Sequence, residues 1–277
     1  MEQDGEAYSV NITSQCRERT NLTAMQIEHL KRIEISLPFV ADLAHAYLYL
    51  YVQTKEPGKM LVLKHYRPHT FFSEVELTGE GAFVSTLEEP LIAAAFAKGK
   101  FIQGQREWRF GINLEMYVQP IKCGNDVIGV VSLETGHSYA NSSNYHQLMD
   151  TALYLLDYAK KPLDKDEFHP MSPGTGIIIA DSNNRIVFAN LSANRIYRAL
   201  GIASLVGCRM QDRELSAMLH KETIDSSRPY EREIQIRDFV LVQRDIKLEE
   251  AGMLKRRIML LSDVSELRKK EREIKIK

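Results

Sequence analysis

AYLYLYVQT (46–54), the turn EPGK (56–59) and MLVLKHYRP (60–68) decide the architecture of this chain. Tyr47, Tyr49 and Tyr51 alternate with Leu48, Leu50 and Val52, the two-residue period of a strand. Residues 60–63 are again apolar, and Pro57-Gly58 supplies the turn between the two runs. A β-hairpin follows, and with it an antiparallel sheet. The three tyrosines share one face, where they are expected to pack.

Outward from this hairpin the periodicity changes. Leu30, Ile33, Leu37, Val40 and Ala44 are three or four apart, which predicts an amphipathic helix through 27–44. Downstream, Thr86 precedes LEEPLIAAAFAKGK (87–100): Glu88 and Glu89 suit the positive end of a helix and Gly99 suits its stop, so a short helix is expected. EMYVQPI (115–121) and DVIGVVSLET (126–135), joined through Cys123-Gly124-Asn125-Asp126, read as a second hairpin. Leu148, Ala152, Leu155 and Leu156 predict another helix over 145–160. Helix, strands, helix, strands, helix is an α+β order.

KKPLDKDEFHPMSPGTG (160–176) is rich in proline and charge and marks a boundary. GIIIAD (176–181) and RIVFAN (185–190) flank the turn Ser182-Asn183-Asn184 as a hairpin, and 191–200 is helical. EREIQIRDFVLVQRDIKL (231–248) and KRRIMLLSDV (255–264) read as long strands. SELRKKEREIKIK (265–277) is a charged helical tail.

The 277 residues exceed what one core usually organises, so two domains are expected. With 44% hydrophobic and 26% charged residues the composition is that of a globular protein. No apolar run approaches the ~20 residues that span a bilayer, which excludes a helical membrane anchor within this stretch. MEQDGEAYSVNITSQ (1–15) lacks a basic segment leading into an apolar one, so the expected compartment is the cytoplasm. There the sequons at Asn11, Asn21, Asn141 and Asn190 carry no glycan. A net charge of −1 gives no electrostatic support for nucleic-acid binding. Cys16, Cys123 and Cys208 lie too far apart to be read as a metal or redox pair.

These residues carry a resemblance. Asp42-Leu43-Ala44, YLYLYV (47–52), His65-Tyr66-Arg67-Pro68, Trp108-Arg109 and the pair EMYVQPI and VIGVVSLET resemble a GAF domain. GIIIADSNNRIVFANLSANRIYRALGI (176–202), with Ala189-Asn190-Leu191-Ser192-Ala193, is similar to the opening of a PAS domain. Together they resemble the amino-terminal sensory region of bacterial sensor histidine kinases over residues 25–270. The resemblance implies an N-terminal segment (1–24), a GAF-like sensor domain (25–160), a linker (161–173), a PAS-like domain (174–263) and a signalling helix (264–277). Each domain would be an antiparallel sheet flanked by helices.

Ser262-Asp263-Val264-Ser265-Glu266 resembles the signal-transfer motif that closes many PAS domains. Asp263 can cap the outgoing helix while Glu266 reaches back from its third position, a capping box. Val264, Leu267, Glu271 and Ile274 sketch a short heptad seam interrupted by Glu271. The resemblance implies a homodimer, a kinase core beyond this stretch and a cognate response regulator. The chain itself holds no phosphoacceptor stretch or ATP box and is expected to have no activity alone.

Within this family a small molecule would sit between sheet and covering helices, so candidate contacts are polar residues of the first domain: His65, Arg67, Arg106, Trp108, Arg109, Glu115, Tyr117 and Gln119. Arginines beside an aromatic could hold a flat ligand or neutralise a carboxylate or phosphate. Asn190, Asn194, Tyr197 and Arg237 are second-domain candidates, with Asn190 better explained as a helix cap. Neither a flavin-adduct cysteine nor a convincing haem histidine is present, His220 included, so no cofactor and no metal are expected. Nucleophile elbow, phosphate loop and close metal ligands are absent too. Cys123 alone gives little basis for a sulfoxide reductase. The alternative is a standalone interaction regulator without kinase output.

Overall fold

The computed structural model describes residues 11–70, 78–136, 144–159, 165–213, 224–228 and 231–275. Residues 1–10 and 161–164, His220 and Asn141 lie outside them. Contacts divide the chain into two units, Met1–Ser142 with Ala152–Phe168, and Ser143–Thr151 with His169–Lys277. A helix, α5 (Tyr145–Tyr158), runs through both sets and buries Leu148, Met149, Ala152, Leu155 and Leu156 along one stripe.

In the first unit, α1 (Ile12–Arg19) and α2 (Ala24–Glu34) precede α3 (Leu37–Ala44). The helix expected through 27–44 is broken. Pro38 sits in the first turn of α3, where it cannot donate to the preceding turn, and Ile35-Ser36 form a turn instead. Thr23 and Gln26 cap α2 reciprocally. The sheet comprises β1 (Tyr47–Gln53), β2 (Lys59–Tyr66), β3 (Phe83–Ser85), β4 (Ile102–Arg109), β5 (Ile112–Cys123) and β6 (Asp126–Gly136), in the order β3-β2-β1-β6-β5-β4. Every pairing is antiparallel.

Register fixes the two faces. Tyr47 lies opposite Glu134 and Tyr49 opposite Ser132 across β1 and β6, while Met116 lies opposite Glu134 across β5 and β6. Side chains two apart share a face, so these residues look the same way. That face carries Tyr47, Tyr49, Tyr51, Met60, Val62, Met116, Val118 and Val130 against Ile92, Ala95 and Phe96 of α4 (Pro90–Lys98). Gly99, at a φ of 59°, ends α4 as expected. On the opposite face Leu48 and Leu50 are fully buried, α2 touches β6, and α3 touches β1 and β2. Strand β4 went unread in the sequence because IQGQREWR has no period-two apolar pattern.

The second unit holds β7 (Gly176–Ala180), β8 (Ile186–Ala189), α6 (Leu191–Ala199), β9 (Ile224–Arg228), β10 (Glu231–Ile236), β11 (Phe239–Glu250), β12 (Met253–Asp263) and α7 (Ser265–Lys275). The sheet order is β8-β7-β12-β11-β10-β9, again antiparallel. Residues 231–248 are therefore a hairpin rather than one strand. Arg237, at a φ of 53°, and Asp238 make its turn, which the apolar residues on either side hid in the sequence. Gly176 is required by close approach, since a Cβ there would lie 3.1 Å from the backbone of Ala193 in α6.

Asn190 caps α6. Its Oδ1 accepts from Ala193 N at 2.9 Å and from Ile177 N at 2.9 Å, and its Nδ2 donates to Thr175 O. One side chain thus joins helix to strand. Replacement Asn190→Ala removes a cap worth about 1 kcal/mol and leaves part-buried groups of Ile177 and Thr175 unbonded, for a total loss of about 2 kcal/mol. Urea denaturation followed by circular dichroism checks this; an unchanged midpoint contradicts it.

Candidate functional site

On the tyrosine face of the first unit lies a cavity of about 170 Å³. Its walls are Tyr47 and Tyr49 from β1, Arg106, Glu107 and Trp108 from β4, Leu114 from β5 and Glu134 from β6, with Thr78 beside them. Polarity inside an otherwise apolar core must be compensated, and here Arg106 does it. Its Nη1 donates to Glu89, which directly precedes α4, and its Nη2 donates to Glu134. Glu134 accepts a further bond from Ser132 Oγ at 3.1 Å. The Nε atom of Arg106 is buried with no hydrogen-bond partner among the described residues.

Burial dominates the electrostatics. Glu134 is 1% exposed, and desolvation lifts its pKa to about 7 although the Arg106 guanidinium pulls it down. Glu89 rises for the same reason, again opposed by Arg106. Arg106 is also desolvated, but the attraction of Glu134 and then Glu89 outweighs that, so its pKa rises and it stays charged. Tyr49 and Tyr51 are raised by burial first and by Glu134 second, which keeps their hydroxyls protonated. Near neutrality Glu134 is poised to exchange its proton.

The eight residues selected from sequence separate by strand face. Arg106 and Trp108 line the cavity. His65 lies opposite Tyr49 in the β1–β2 register, its ring 6.3 Å from the Tyr49 ring, and burial lowers its pKa. Glu115, Tyr117 and Gln119 alternate with Leu114, Met116 and Val118 and so belong to the opposite face of β5. Arg67 follows β2 and is exposed. The Arg109 side chain lies outside the described residues. In the second unit, Asn194 Nδ2 donates to Ala189 O and Asn190 O, and Tyr197 OH donates to Arg213 O, so both serve the helix and its surroundings.

Sequence reasoning missed Glu134, Glu89 and the cavity role of Tyr47 and Tyr49. Glu134 had a signal: a carboxylate closing the apolar run VIGVVSLE, in the position that must face inward. Glu89 was expected only to favour the helix start, but with a side chain 12% exposed and bound to Arg106 it belongs to the cavity cluster. Asp263 and Glu266 also differ from expectation. Because α7 begins at Ser265, Glu266 falls one place short of the third helical position; Asp263 Oδ1 instead accepts from Ser265 N at 3.0 Å and from Ser265 Oγ at 2.6 Å.

Comparison with known proteins gives the family and the fold. The family model "Histidine kinase PdtaS, GAF domain" matches residues 12–152, and the chain belongs to that family. Among solved structures, the sensor region of a sensor histidine kinase is similar at 20% identity and a TM-score of 0.60, covering 93% of this chain and 99% of that one. The GAF domain of a phosphoenolpyruvate-protein phosphotransferase from Acinetobacter aligns at 14% identity and a TM-score of 0.30, over 50% of this chain and 94% of that one. A search of curated proteins finds no match. No helix among the described residues is long and apolar enough to cross a membrane.

Two substitutions should move stability in opposite directions with pH. A carboxyl whose folded pKa lies above its ordinary 4.5 costs stability progressively as pH rises from there to about 7. Glu134→Gln abolishes that cost, so the variant gains on the parent between about pH 5 and about pH 8. Arg106→Met leaves Glu134 unpaired, so it loses little at about pH 5 and about 3–5 kcal/mol at about pH 8. Thermal melts of both variants against the parent check the signs, and pH-independent differences contradict them.

Proposed function

We propose that this chain is the sensory region of a cytoplasmic two-component sensor histidine kinase. A small molecule occupies the cavity at Arg106 and Trp108, with His65 nearby on the same face, and biases the first unit between two states. A ligand shifts such an equilibrium only by its difference in affinity for the two. The observation that carries this is the cavity itself: a polar, aromatic-walled space with a buried ion pair, inside a unit of the histidine kinase GAF family.

In this reading residues 25–160 form the GAF-like sensor, 161–173 the linker, 174–263 a PAS-like domain and 264–277 the signalling helix after an N-terminal segment (1–24). The PAS-like assignment is supported by the strand order of the second unit, in which the inner strand of the first hairpin, β7, pairs with the last strand, β12. Helix α7 carries the signal to a kinase core and thereby to its response regulator, with the chain acting as a homodimer.

The start of α7 supports a transmitting role. Val264 N donates to Val240 O at 2.9 Å, and Val240 N donates to Ser265 Oγ at 2.8 Å. Asp263 holds that same hydroxyl, so it fixes the joint between β11 and the helix. Arg268 adds an ion pair to Glu233 of β10. Movement of the sheet therefore reaches the first turn of α7 through hydrogen bonds.

The kinase-linked protein tests this. Asp263→Ala should abolish the response of autophosphorylation to ligand, while affinity at the cavity changes by less than about twofold, because coupling and binding are separate free energies. Regulation that survives the substitution removes Asp263 from the mechanism.

A further inference from the structure

The chemistry of the cavity selects a ligand class, and the argument rests on the cavity being the receptor site. A carboxylate or phosphate would need a free cation. Arg106 offers none at its ends: Nη1 and Nη2 are each held by a glutamate, and displacing either would strand a buried carboxylate. The local charge is acidic in balance. Glu134 and Glu89 share one guanidinium, two carboxylates against one cation.

The walls point the same way. Tyr47, Tyr49 and Trp108 present aromatic rings, and such faces attract ammonium and guanidinium groups through the ring quadrupole. A volume of about 170 Å³ falls below the ~300 Å³ at which drug-sized pockets begin, so the occupant is small. We propose that the ligand is a small organic cation, an ammonium or amidinium of at most about ten heavy atoms, its charge among Tyr47, Tyr49 and Trp108 and facing the Glu134 carboxylate.

The proton on Glu134 then competes with the ligand. The groups that bear on Glu134 are Arg106 from β4, Glu89 at the start of α4, and Tyr49 and Tyr51 from β1, with Ser132 bonded to it. Of these, Arg106 favours its ionised form and Glu89 opposes it. A bound cation adds a second favourable charge, so binding should strengthen as pH rises through about 7, where Glu134 loses its proton.

The only tryptophan of the chain is Trp108, so its fluorescence reports the cavity directly. Titrations of the whole chain at constant ionic strength would use tetramethylammonium, neutral tert-butanol and acetate. The expected result is saturation by tetramethylammonium alone, about tenfold weaker at about pH 6 than at about pH 8. Glu134→Gln should be about tenfold weaker and pH-independent. Tyr47→Leu, which keeps every charge, should be several-fold weaker and still pH-dependent, and so covers the case in which Glu134→Gln fails to fold.

Saturation by acetate, which the unpartnered Nε–H of Arg106 could favour, overturns the cation and leaves the cavity a receptor. Equal saturation by tert-butanol and tetramethylammonium, with no effect of Glu134→Gln, does the same. If no probe saturates, both the cation and the cavity as receptor site fall.

Discussion

The first unit is organised around one side chain shared between two carboxylates. Arg106 reaches from β4 to Glu134 on β6 and to Glu89 at the entry of α4, and so ties two strands and the covering helix at one point. A buried carboxylate such as Glu134 costs several kcal/mol unless it is paired and hydrogen-bonded. Arg106 and Ser132 supply that compensation. Without them this face would have to close as plain hydrocarbon, as it does further along at Met60, Val62, Val118 and Val130. The cavity exists where the apolar packing yields to the ion pair.

That arrangement sets what the site can do. Both terminal nitrogens of Arg106 are held by glutamates, and its Nε is the buried nitrogen left without a hydrogen-bond partner among the described residues. Around that ion pair the cavity is lined by Tyr47, Tyr49 and Trp108, beside a carboxyl of raised pKa. In the second unit a comparable economy operates at the joint of α7, where the Ser265 hydroxyl serves both Asp263 and Val240. In the proposed sensor the first arrangement receives and the second transmits.

Much of the fold was legible because its signals are local. The alternation in 46–54, the turn at Pro57-Gly58 and the apolar run in 126–135 each specify strand and pairing within a few residues, and they recur as β1, β2 and β6. The Asn190 cap was legible for the same reason. Misreadings arose where a single residue overrides a pattern: Pro38 breaking a helix whose periodicity runs on, and Arg237 in the left-handed region folding a continuous apolar run into a hairpin. The site was less legible, because it depends on parity between strands. Glu115, Tyr117 and Gln119 differ from Leu114, Met116 and Val118 by one step along β5, and that step moves a side chain through the sheet. Glu134 is far in sequence from Arg106 and from Tyr47, and only the β1–β6–β5–β4 order makes them neighbours.

The central claim is that Glu134 is a buried carboxyl held by Arg106 at the floor of a cavity, and its titration is the direct measure. In the chain carrying ¹³C at the glutamate carboxyl carbons, NMR should resolve one resonance with a midpoint near 7, absent from Glu134→Gln. A spectrum in which every glutamate titrates near its ordinary 4.5, with no resonance lost at higher pH in the variant, would contradict the account.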